Sequence, residues 1–100
     1  FKRAYARGKY AAHPLVVTYA VANRQTENRI GITASKKVGN AVQRNRARRV
    51  VSAAFRPHQN KLIKGYDIVL VARAKTPLAK STELVPVLEK QLRKLGLMKT

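Results

Sequence analysis

Alternating apolar and polar positions predict β-strands in the first third of the chain. Leu15–Ala22 is rich in Val, and a period of two gives it one apolar face. That face comprises Leu15, Val17, Tyr19 and Val21. The wholly polar run Asn23–Arg29 predicts a hairpin loop, and Ile30–Ser35 predicts the returning strand. Further along, Tyr66–Arg73 is the most apolar segment and predicts a buried strand.

Apolar residues spaced three and four apart predict helices between and around these strands. A short helix is predicted to end at Gly8, after apolar residues at positions 1, 4 and 5. A second helix runs from about Ala41 to Arg56, with Asn40 as its N-cap. Pro57 prevents this helix from continuing, because proline lacks an amide hydrogen and clashes with the preceding turn.

A last helix is predicted from a cap at Ser81 or Thr82 to about Leu95. Its apolar stripe, which we expect in the core, consists of Leu84, Val85, Leu88, Leu92 and Leu95. Pro86 is tolerable only near the first turn of a helix, so we expect this helix to start later than its cap indicates.

The predicted elements follow the order α-β-β-α-β-α within one domain over residues 1–100. Helices would cover one face of a small sheet, which is an α+β two-layer sandwich. The strand Ile30–Ser35, the helix after it and the strand Asp67–Arg73 form a βαβ unit. We therefore expect these two strands to run parallel.

Composition points to a polyanionic partner. The chain has 22 Lys and Arg but only 4 Asp and Glu, a formal net charge of +18, while 45% of it is hydrophobic. This excess charge repels itself in a compact domain, so nucleic acid is the leading candidate partner and an anionic membrane surface the second. We expect no membrane partner, because each apolar stripe is needed for the core.

The same composition excludes several classes of site. Without Cys, there is no disulfide, Cys-ligated zinc or iron–sulfur cluster. Two His and four acidic residues provide few candidate ligands for a metalloenzyme and few candidate groups for acid–base hydrolysis. We interpret His13 and His58 as surface residues and Asp67 as a structural hydrogen-bonding partner. The lack of Cys and of a secretory leader favours a cytoplasmic location.

The segment Lys36–Arg56 carries seven Lys or Arg residues and no acidic residue. Its helical apolar positions fall within an arc of about 140°, which must face the sheet. These positions are Ala47, Val50, Val51, Ala54 and Phe55. The residues that face solvent are Asn45, Arg46, Arg48, Arg49 and Arg56. Arg44 lies in the same angular sector as the apolar residues, where burial of its unpaired charge would be too costly. We therefore expect the start of the helix to extend past the edge of the sheet, so that Arg44 reaches solvent from beneath the helix.

Such a helix is suited to phosphate binding. Its first turn offers unpaired amides and the positive end of the helix dipole, and Lys36 and Lys37 add charge there. Arginine can grip a phosphate through two parallel N–H bonds. The alternative is a solvated charged face, but natural solvated faces mix both signs of charge. The pattern therefore favours contact with RNA or DNA.

The sequence from Ser35 to Arg56, SKKVGNAVQRNRARRVVSAAFR, closely resembles the signature of the bacterial ribonuclease P protein component. Its Arg-Asn-Arg triplet at positions 44–46 is the hallmark of that family. The aromatic pattern that ends at Gly8 resembles the end of the family's first helix. The segment that begins Tyr66-Asp67-Ile68-Val69 resembles the family's last strand.

The resemblance implies a protein subunit of an endoribonuclease that removes the 5′ leader from precursor tRNA. In this family the catalytic RNA and its Mg²⁺ ions perform the hydrolysis. The protein would bind that RNA and the leader as a monomer and favour the Mg²⁺-bound active state, with no catalytic or metal-ligating side chain of its own. The implied fold is of the ribosomal protein S5 domain 2 type, with a left-handed βαβ crossover.

Two sets of site residues follow. The residues expected to bind the catalytic RNA are Lys36, Lys37, Asn40, Arg44, Asn45, Arg46, Arg48, Arg49 and Arg56. The residues that the resemblance places in a leader-binding cleft, between the first helix and the sheet, are Phe1, Lys2, Tyr5, Arg7 and Tyr19. Aromatic faces stack on unpaired bases, worth roughly 1–3 kcal/mol per base. Ordinary core packing is the alternative role for these aromatic residues.

Two other classes of protein stay open, a structural ribosomal protein and a sequence-nonspecific DNA-binding protein. Ribosomal proteins often carry long basic extensions without periodicity, and this chain shows none. The lysine pair and the Arg-Asn-Arg helix favour the ribonuclease P subunit.

Overall fold

Two helices lie on one face of a four-stranded mixed sheet in the computed structural model of the protein, which describes residues 8–99. The strands are β1 (Lys9–His13), β2 (Val16–Ala22), β3 (Arg29–Thr33) and β4 (Tyr66–Ala72), and the helices are α1 (Ala41–Phe55) and α2 (Ser81–Lys94). Short 3-10 helices span Lys36–Val38, Arg56–Lys61 and Thr76–Leu78. The predicted α+β class is confirmed, and the helix predicted before Gly8 lies outside the described residues.

The strand β4 lies inside the sheet, whose order is β1-β2-β4-β3. β3 and β4 run parallel with α1 between them in the chain, which confirms the predicted βαβ unit. The predicted hairpin of Leu15–Ala22 with Ile30–Ser35 is wrong, because β2 pairs antiparallel with β4. Ile68, Val69 and Leu70 are fully buried, so β4 directs apolar side chains to both faces of the sheet, while β2 and β3 pair with its backbone on either side.

The hairpin of this sheet is formed instead by β1 and β2, and β1 is a strand that the sequence pattern does not predict. Tyr10 pairs with Tyr19 and His13 pairs with Val16 across it. The ring of His13 closes the turn, because its Nδ1 accepts a hydrogen bond from the Leu15 amide at 3.1 Å.

The core lies between the two helices and the face of the sheet that they cover. Its largest helical contributions are Val51 and Phe55 of α1 and Leu84, Leu88 and Leu92 of α2, all of which the helical periodicity predicts. Alternation along β2 directs Val17, Tyr19 and Val21 to the opposite face. We call this opposite face, which α1 and α2 leave uncovered, the open face.

A buried hydrogen-bond network ties α2 to the β1–β2 hairpin. Gln91 is only 5% exposed, and its Oε1 accepts a hydrogen bond from the Thr18 hydroxyl at 2.7 Å. Its Nε2 donates to the backbone carbonyls of Ala11 and Val16, both at 3.0 Å. Buried polar groups cost free energy unless they are paired, so this network fixes the position of α2 on the hairpin.

The helix α2 begins earlier than predicted and without the predicted cap, because Ser81 and Thr82 lie inside it. The carboxylate of Glu83 instead accepts a hydrogen bond from the Lys80 amide at 3.1 Å. Pro86 lies in the second turn. Leu84 and Leu88 on either side of Pro86 are buried, and the free energy gained by their packing exceeds the cost of the hydrogen bond that proline cannot form. Tertiary packing supplies most of the stability of a helix in a protein.

His58 is buried, so the prediction that it lies on the surface is wrong. It belongs to the 3-10 helix that continues from α1, and this turn carries its ring to α2. Its Nε2 lies 2.9 Å from the carbonyl oxygen of Val85, so this nitrogen donates the hydrogen bond. The ring thereby links the end of α1 to the first half of α2.

Asp67 holds β3 and the end of β2 against β4, which confirms its predicted structural role. Its buried carboxylate accepts hydrogen bonds from Arg29 Nε at 2.8 Å and Asn23 Nδ2 at 2.9 Å, and Arg29 Nη2 completes a bidentate pair. The hydrogen bonds from Arg29 lower the pKa of Asp67 to about 2, and they outweigh the opposing effect of burial.

This depressed pKa predicts a pH-dependent stability. The folded pKa of about 2 lies below the ordinary value of 3.8, so the contribution of Asp67 is complete above about pH 5 and disappears as the pH falls toward 2. We expect Asp67→Asn to lower the free energy of unfolding by about 1–2 kcal/mol near neutral pH. Thermal unfolding of both proteins should show this difference shrinking between about pH 4 and pH 2. A difference that stays constant over that range would contradict the assignment.

Candidate nucleic-acid interface

The segment between β3 and α1 presents two lysines on a compact turn. Ser35 Oγ accepts a hydrogen bond from the Lys37 amide at 3.3 Å and begins the 3-10 helix there. Val38 is buried and anchors the turn, whereas Lys36 and Lys37 are exposed. We call Ser35–Asn40 the lysine turn; it places both charges beside the N-terminus of α1.

The helix α1 begins with a reciprocal cap, which confirms Asn40 as its N-cap. Asn40 Oδ1 accepts a hydrogen bond from the Gln43 amide at 3.0 Å, and Gln43 Oε1 accepts one from the Asn40 amide at 3.3 Å. Gly39 lets the chain enter this cap with a φ of +141°, a conformation that other residues rarely adopt. Any RNA contact of Asn40 is therefore left mainly to its side-chain NH₂ group.

Gly39→Ala is expected to destabilise the protein by about 1–3 kcal/mol, because it combines backbone strain with the loss of half of the cap. A Cβ on Gly39 would lie 1.7 Å from Gln43 Oε1, so the Gln43 side chain must swing away. Thermal unfolding measures the effect. Gln43→Ala, which removes the same half of the cap without strain, should cost less. If Gly39→Ala melts like the wild type, the geometry of the turn is wrong.

Arg46, Arg48 and Arg49 point away from the core on the exposed face of α1, as the helical wheel predicts. Arg48 Nη1 donates a hydrogen bond to Asn45 Oδ1 at 3.1 Å, one turn earlier. All three arginines therefore lie at the surface rather than in the core.

Arg44 and Arg56 mark the two ends of this row. Arg44 is half-buried, and its guanidinium donates a hydrogen bond to the Gly39 carbonyl at 3.3 Å, so it lies against the lysine turn. Arg56 is exposed directly after the last helical residue. A helix of 15 residues is about 22 Å long, enough to contact several successive phosphates.

Arg46 and Arg49 also line a shallow groove of about 310 Å³. Val50, Ala53 and Ser81 complete its lining, so the groove lies between α1 and the start of α2. It gives the two guanidinium groups a shared concave surface, which suits a phosphate better than two separate side chains do.

All four carboxylates of the chain are engaged away from the arginines of α1. Their partners are Arg29 for Asp67, Lys64 for Glu27, Arg93 for Glu89 and the Lys80 amide for Glu83. Within residues 8–99, no carboxylate forms an ion pair with a basic side chain of α1. The charge of α1 is therefore available to an external anion.

A groove of about 820 Å³ lies on the open face of the sheet. It runs beside the β1–β2 turn and the ends of β3 and β4, and we call it the open-face groove. Its apolar lining includes Val17, Tyr19 and Val71, and its basic lining consists of Lys37, Arg73 and Lys75. Its dimensions and charge suit an unpaired nucleic-acid strand.

The open-face groove brings together Tyr19 and Lys37, two of the predicted site residues, and adds Arg73 and Lys75, which were missed. The sequence holds a signal for both. Because β3 and β4 are parallel neighbours, their C-terminal ends lie side by side. The basic residues just after β4 are therefore close to the lysine turn just after β3. The predicted cleft residues that lie outside the described residues are Phe1, Lys2, Tyr5 and Arg7.

Tyr10 stands beside Tyr19 on the open face and was also missed. The ring centroids are 5.8 Å apart with planes tilted by 32°, and Tyr10 is 62% exposed. An aromatic pair on a sheet face offers unpaired bases a surface on which to stack.

Among residues 8–99, no three His, Asp or Glu side chains are grouped so that they could hold a metal ion. Mg²⁺ prefers carboxylate ligands, and each carboxylate already has the partner given above. In the same part of the chain, none of the helices is both long and apolar enough to cross a membrane.

The exposed arginine row, the lysine turn and the aromatic, basic groove are typical of a small α+β nucleic-acid-binding protein. The sequence model of the Ribonuclease P family matches residues 1–96. A "Ribonuclease P protein component" from Caldanaerobacter subterraneus subsp. tengcongensis is 41% identical over 97 residues, covering 97% of this chain and 84% of the relative. The chain belongs to the ribonuclease P protein family.

Solved structures agree with this assignment. An RNase P protein structure from Staphylococcus aureus shares 30% identity and a TM-score of 0.83, covering 99% of this chain and 91% of that one. One from Thermotoga maritima shares 26% identity and a TM-score of 0.78, covering 93% of this chain and 89% of that one. The role of the chain is thus that of a protein component working with the RNA of ribonuclease P.

Proposed function

We propose that this protein binds the catalytic RNA of ribonuclease P through α1 and the lysine turn, and binds the 5′ leader of precursor tRNA in the open-face groove. The observation that carries the proposal is the row of exposed arginines on α1 that no carboxylate neutralises. Family membership supports RNA as the partner, and the exposed charge of α1 supports this surface as the place of contact.

The arginine row favours a structured RNA backbone as its ligand. Arg46 and Arg49 share a groove, and Lys36 and Lys37 add charge where the amides at the start of α1 already attract anions. These groups bind phosphate without reading base identity, so the contact positions the RNA rather than selecting its sequence.

The open-face groove favours an unpaired strand. Tyr19 and Tyr10 offer stacking surfaces, and Lys37, Arg73 and Lys75 offer charge to the backbone. Leaders of different sequence could bind, because every base has a face that stacks. Lys37 lies both in this groove and next to α1, which would bring the leader close to the catalytic RNA.

Hydrolysis is assigned to the RNA in this proposal, with Mg²⁺ held by the RNA rather than by the protein. The protein contributes positive charge, which reduces repulsion between RNA phosphates brought close together. The RNA should therefore reach its active state at a lower Mg²⁺ concentration. A cytoplasmic location and a monomeric protein in the complex stay predictions.

The test is cleavage of precursor tRNA by the catalytic RNA at low Mg²⁺, with and without this protein. Restored cleavage at the 5′ leader supports the proposal. A protein that binds the RNA without changing cleavage would instead be a structural or nonspecific nucleic-acid binder, and the proposal would be wrong. Equal stimulation of a precursor whose leader is too short to reach the open-face groove would remove the leader-binding half of the proposal alone.

A further inference from the structure

A second groove, of about 380 Å³, lies around the edge of the sheet between β1 and α2. Pro86, Val87 and Ala11 give it apolar surface, and Lys90 and Lys94 give it positive charge. We call it the edge groove. None of its residues belongs to the predicted RNA-binding set.

The edge groove is continuous with the open-face groove. Ala12 and His13, at the end of β1, line both of them. β1 is an edge strand of the sheet, so among residues 8–99 no further strand separates the two surfaces at this point. A chain that leaves the open-face groove at Ala12 and His13 would therefore enter the edge groove directly.

The charge in the edge groove is available to a ligand. Lys90 and Lys94 are both exposed, and four residues apart on a helix they lie on the same face. Within residues 8–99, neither lysine forms an ion pair, because Glu89 on the same helix is bound by Arg93. Gln91 between them is already committed to the hairpin network, so the lysines are the groups left to bind.

We propose that the unpaired RNA strand in the open-face groove continues over the β1 edge at Ala12–His13 into the edge groove, where Lys90 and Lys94 bind its backbone phosphates. The proposal rests on leader binding in the open-face groove. The apolar surface of the edge groove next to two lysines suits a nucleotide. Its base or sugar would pack on the apolar residues, and its phosphate would contact Lys90 or Lys94. The protein would then hold more nucleotides than the open-face groove alone accommodates.

The experiment is a length series of unpaired RNA, from about 3 to about 12 nucleotides, titrated against the wild type and the variant carrying Lys90→Ala and Lys94→Ala. We expect the wild type to gain affinity beyond a threshold length and the variant to lose that gain, binding the longest strands about 5–20-fold more weakly. Short strands should bind both proteins equally. The slope of log affinity against log salt for long strands should also fall by about 1.4, or 0.7 per phosphate.

A matched control removes two other exposed lysines, with Lys61→Ala and Lys99→Ala at the far end of the 3-10 helix and at the C-terminus. This control should weaken binding by less than about 3-fold, and by the same factor at every strand length. The proposal is wrong if both variants lose the same amount of affinity. It is also wrong if the variant with Lys90→Ala and Lys94→Ala loses no affinity at any strand length. Either result leaves leader binding in the open-face groove unaffected. If the wild type binds no unpaired RNA at all, leader binding itself is wrong and this inference falls with it.

A second titration distinguishes RNA from an acidic peptide as the ligand of the edge groove. Polyglutamate of similar length is titrated against the same proteins. If the Lys90 and Lys94 variant loses polyglutamate affinity while binding long RNA normally, the edge groove takes an acidic peptide and the RNA path is wrong. Loss of long-strand RNA affinity is the result we expect.

Discussion

Replacing Arg46 and Arg49 together with alanine should weaken binding of the catalytic RNA about 30-fold, at roughly 1 kcal/mol per lost charge-assisted contact. The melting temperature should change by less than about 2 °C, because both side chains are exposed and surface changes of this kind cost little. Filter binding or fluorescence anisotropy gives the affinity, and calorimetry gives the melting temperature.

The control for this variant removes two charges elsewhere. Lys61→Ala with Lys99→Ala lowers the net charge equally, so it measures the nonspecific part of the attraction. We expect it to weaken binding less than about 3-fold. Similar losses in the two variants would mean that only total charge matters. A large drop in the melting temperature of the Arg46 and Arg49 variant would mean that the assignment of these arginines to the solvent face is wrong.

Gln91→Leu should lower the free energy of unfolding by about 2–4 kcal/mol, or roughly 10–25 °C in melting temperature. Leucine fits the space but leaves the carbonyls of Ala11 and Val16 and the hydroxyl of Thr18 without their buried partner. Chemical denaturation with a linear extrapolation measures the loss.

Two control variants test whether the loss of stability in Gln91→Leu comes from the buried hydrogen-bond network. Lys94→Ala changes an exposed residue of the same helix and should stay within about 0.5 kcal/mol of the wild type. Adding Thr18→Val to Gln91→Leu should recover part of the loss, because the hydroxyl left unpaired by the first change is then removed. Wild-type stability in Gln91→Leu would mean that α2 is held to the hairpin by apolar packing alone.

The helix α1 and its face were predictable because local rules determine them. Asn40 followed three residues later by Gln43 is a capping signal that needs no tertiary information. The spacing of Ala47, Val51 and Phe55 assigns the buried side, and the arginines follow by elimination. The chemistry that identifies the class of protein is concentrated in this one local element.

The order of the strands was not predictable, because pairing between distant segments is not encoded locally. The polar run after β2 looks like a hairpin loop, but it leads β3 to the far side of β4, a strand about forty residues later. β1 has the sequence KYAAH, whose alanines carry almost no strand preference. It forms a strand because β2 offers it an edge and Gln91 binds its backbone.

Buried polar residues explain the other differences. His58 and Gln91 have polar side chains that a sequence pattern assigns to the surface, yet each finds a backbone partner more than twenty residues away in the chain. The open-face groove is assembled in the same way, from β2 and from the segments around the ends of β1, β3 and β4. Its aromatic member Tyr19 was predictable by resemblance, whereas Arg73 and Lys75 depend on the parallel register.

The central claim is that a carboxylate-free row of basic side chains binds the phosphate backbone of RNA. The most direct test is the salt dependence of binding between this protein and the catalytic RNA. With about six phosphates neutralised, the logarithm of the affinity should fall against the logarithm of the salt concentration with a slope of about −4 to −5. A slope near zero would contradict the claim, because binding would then depend on something other than the charges of α1 and its flanking turn.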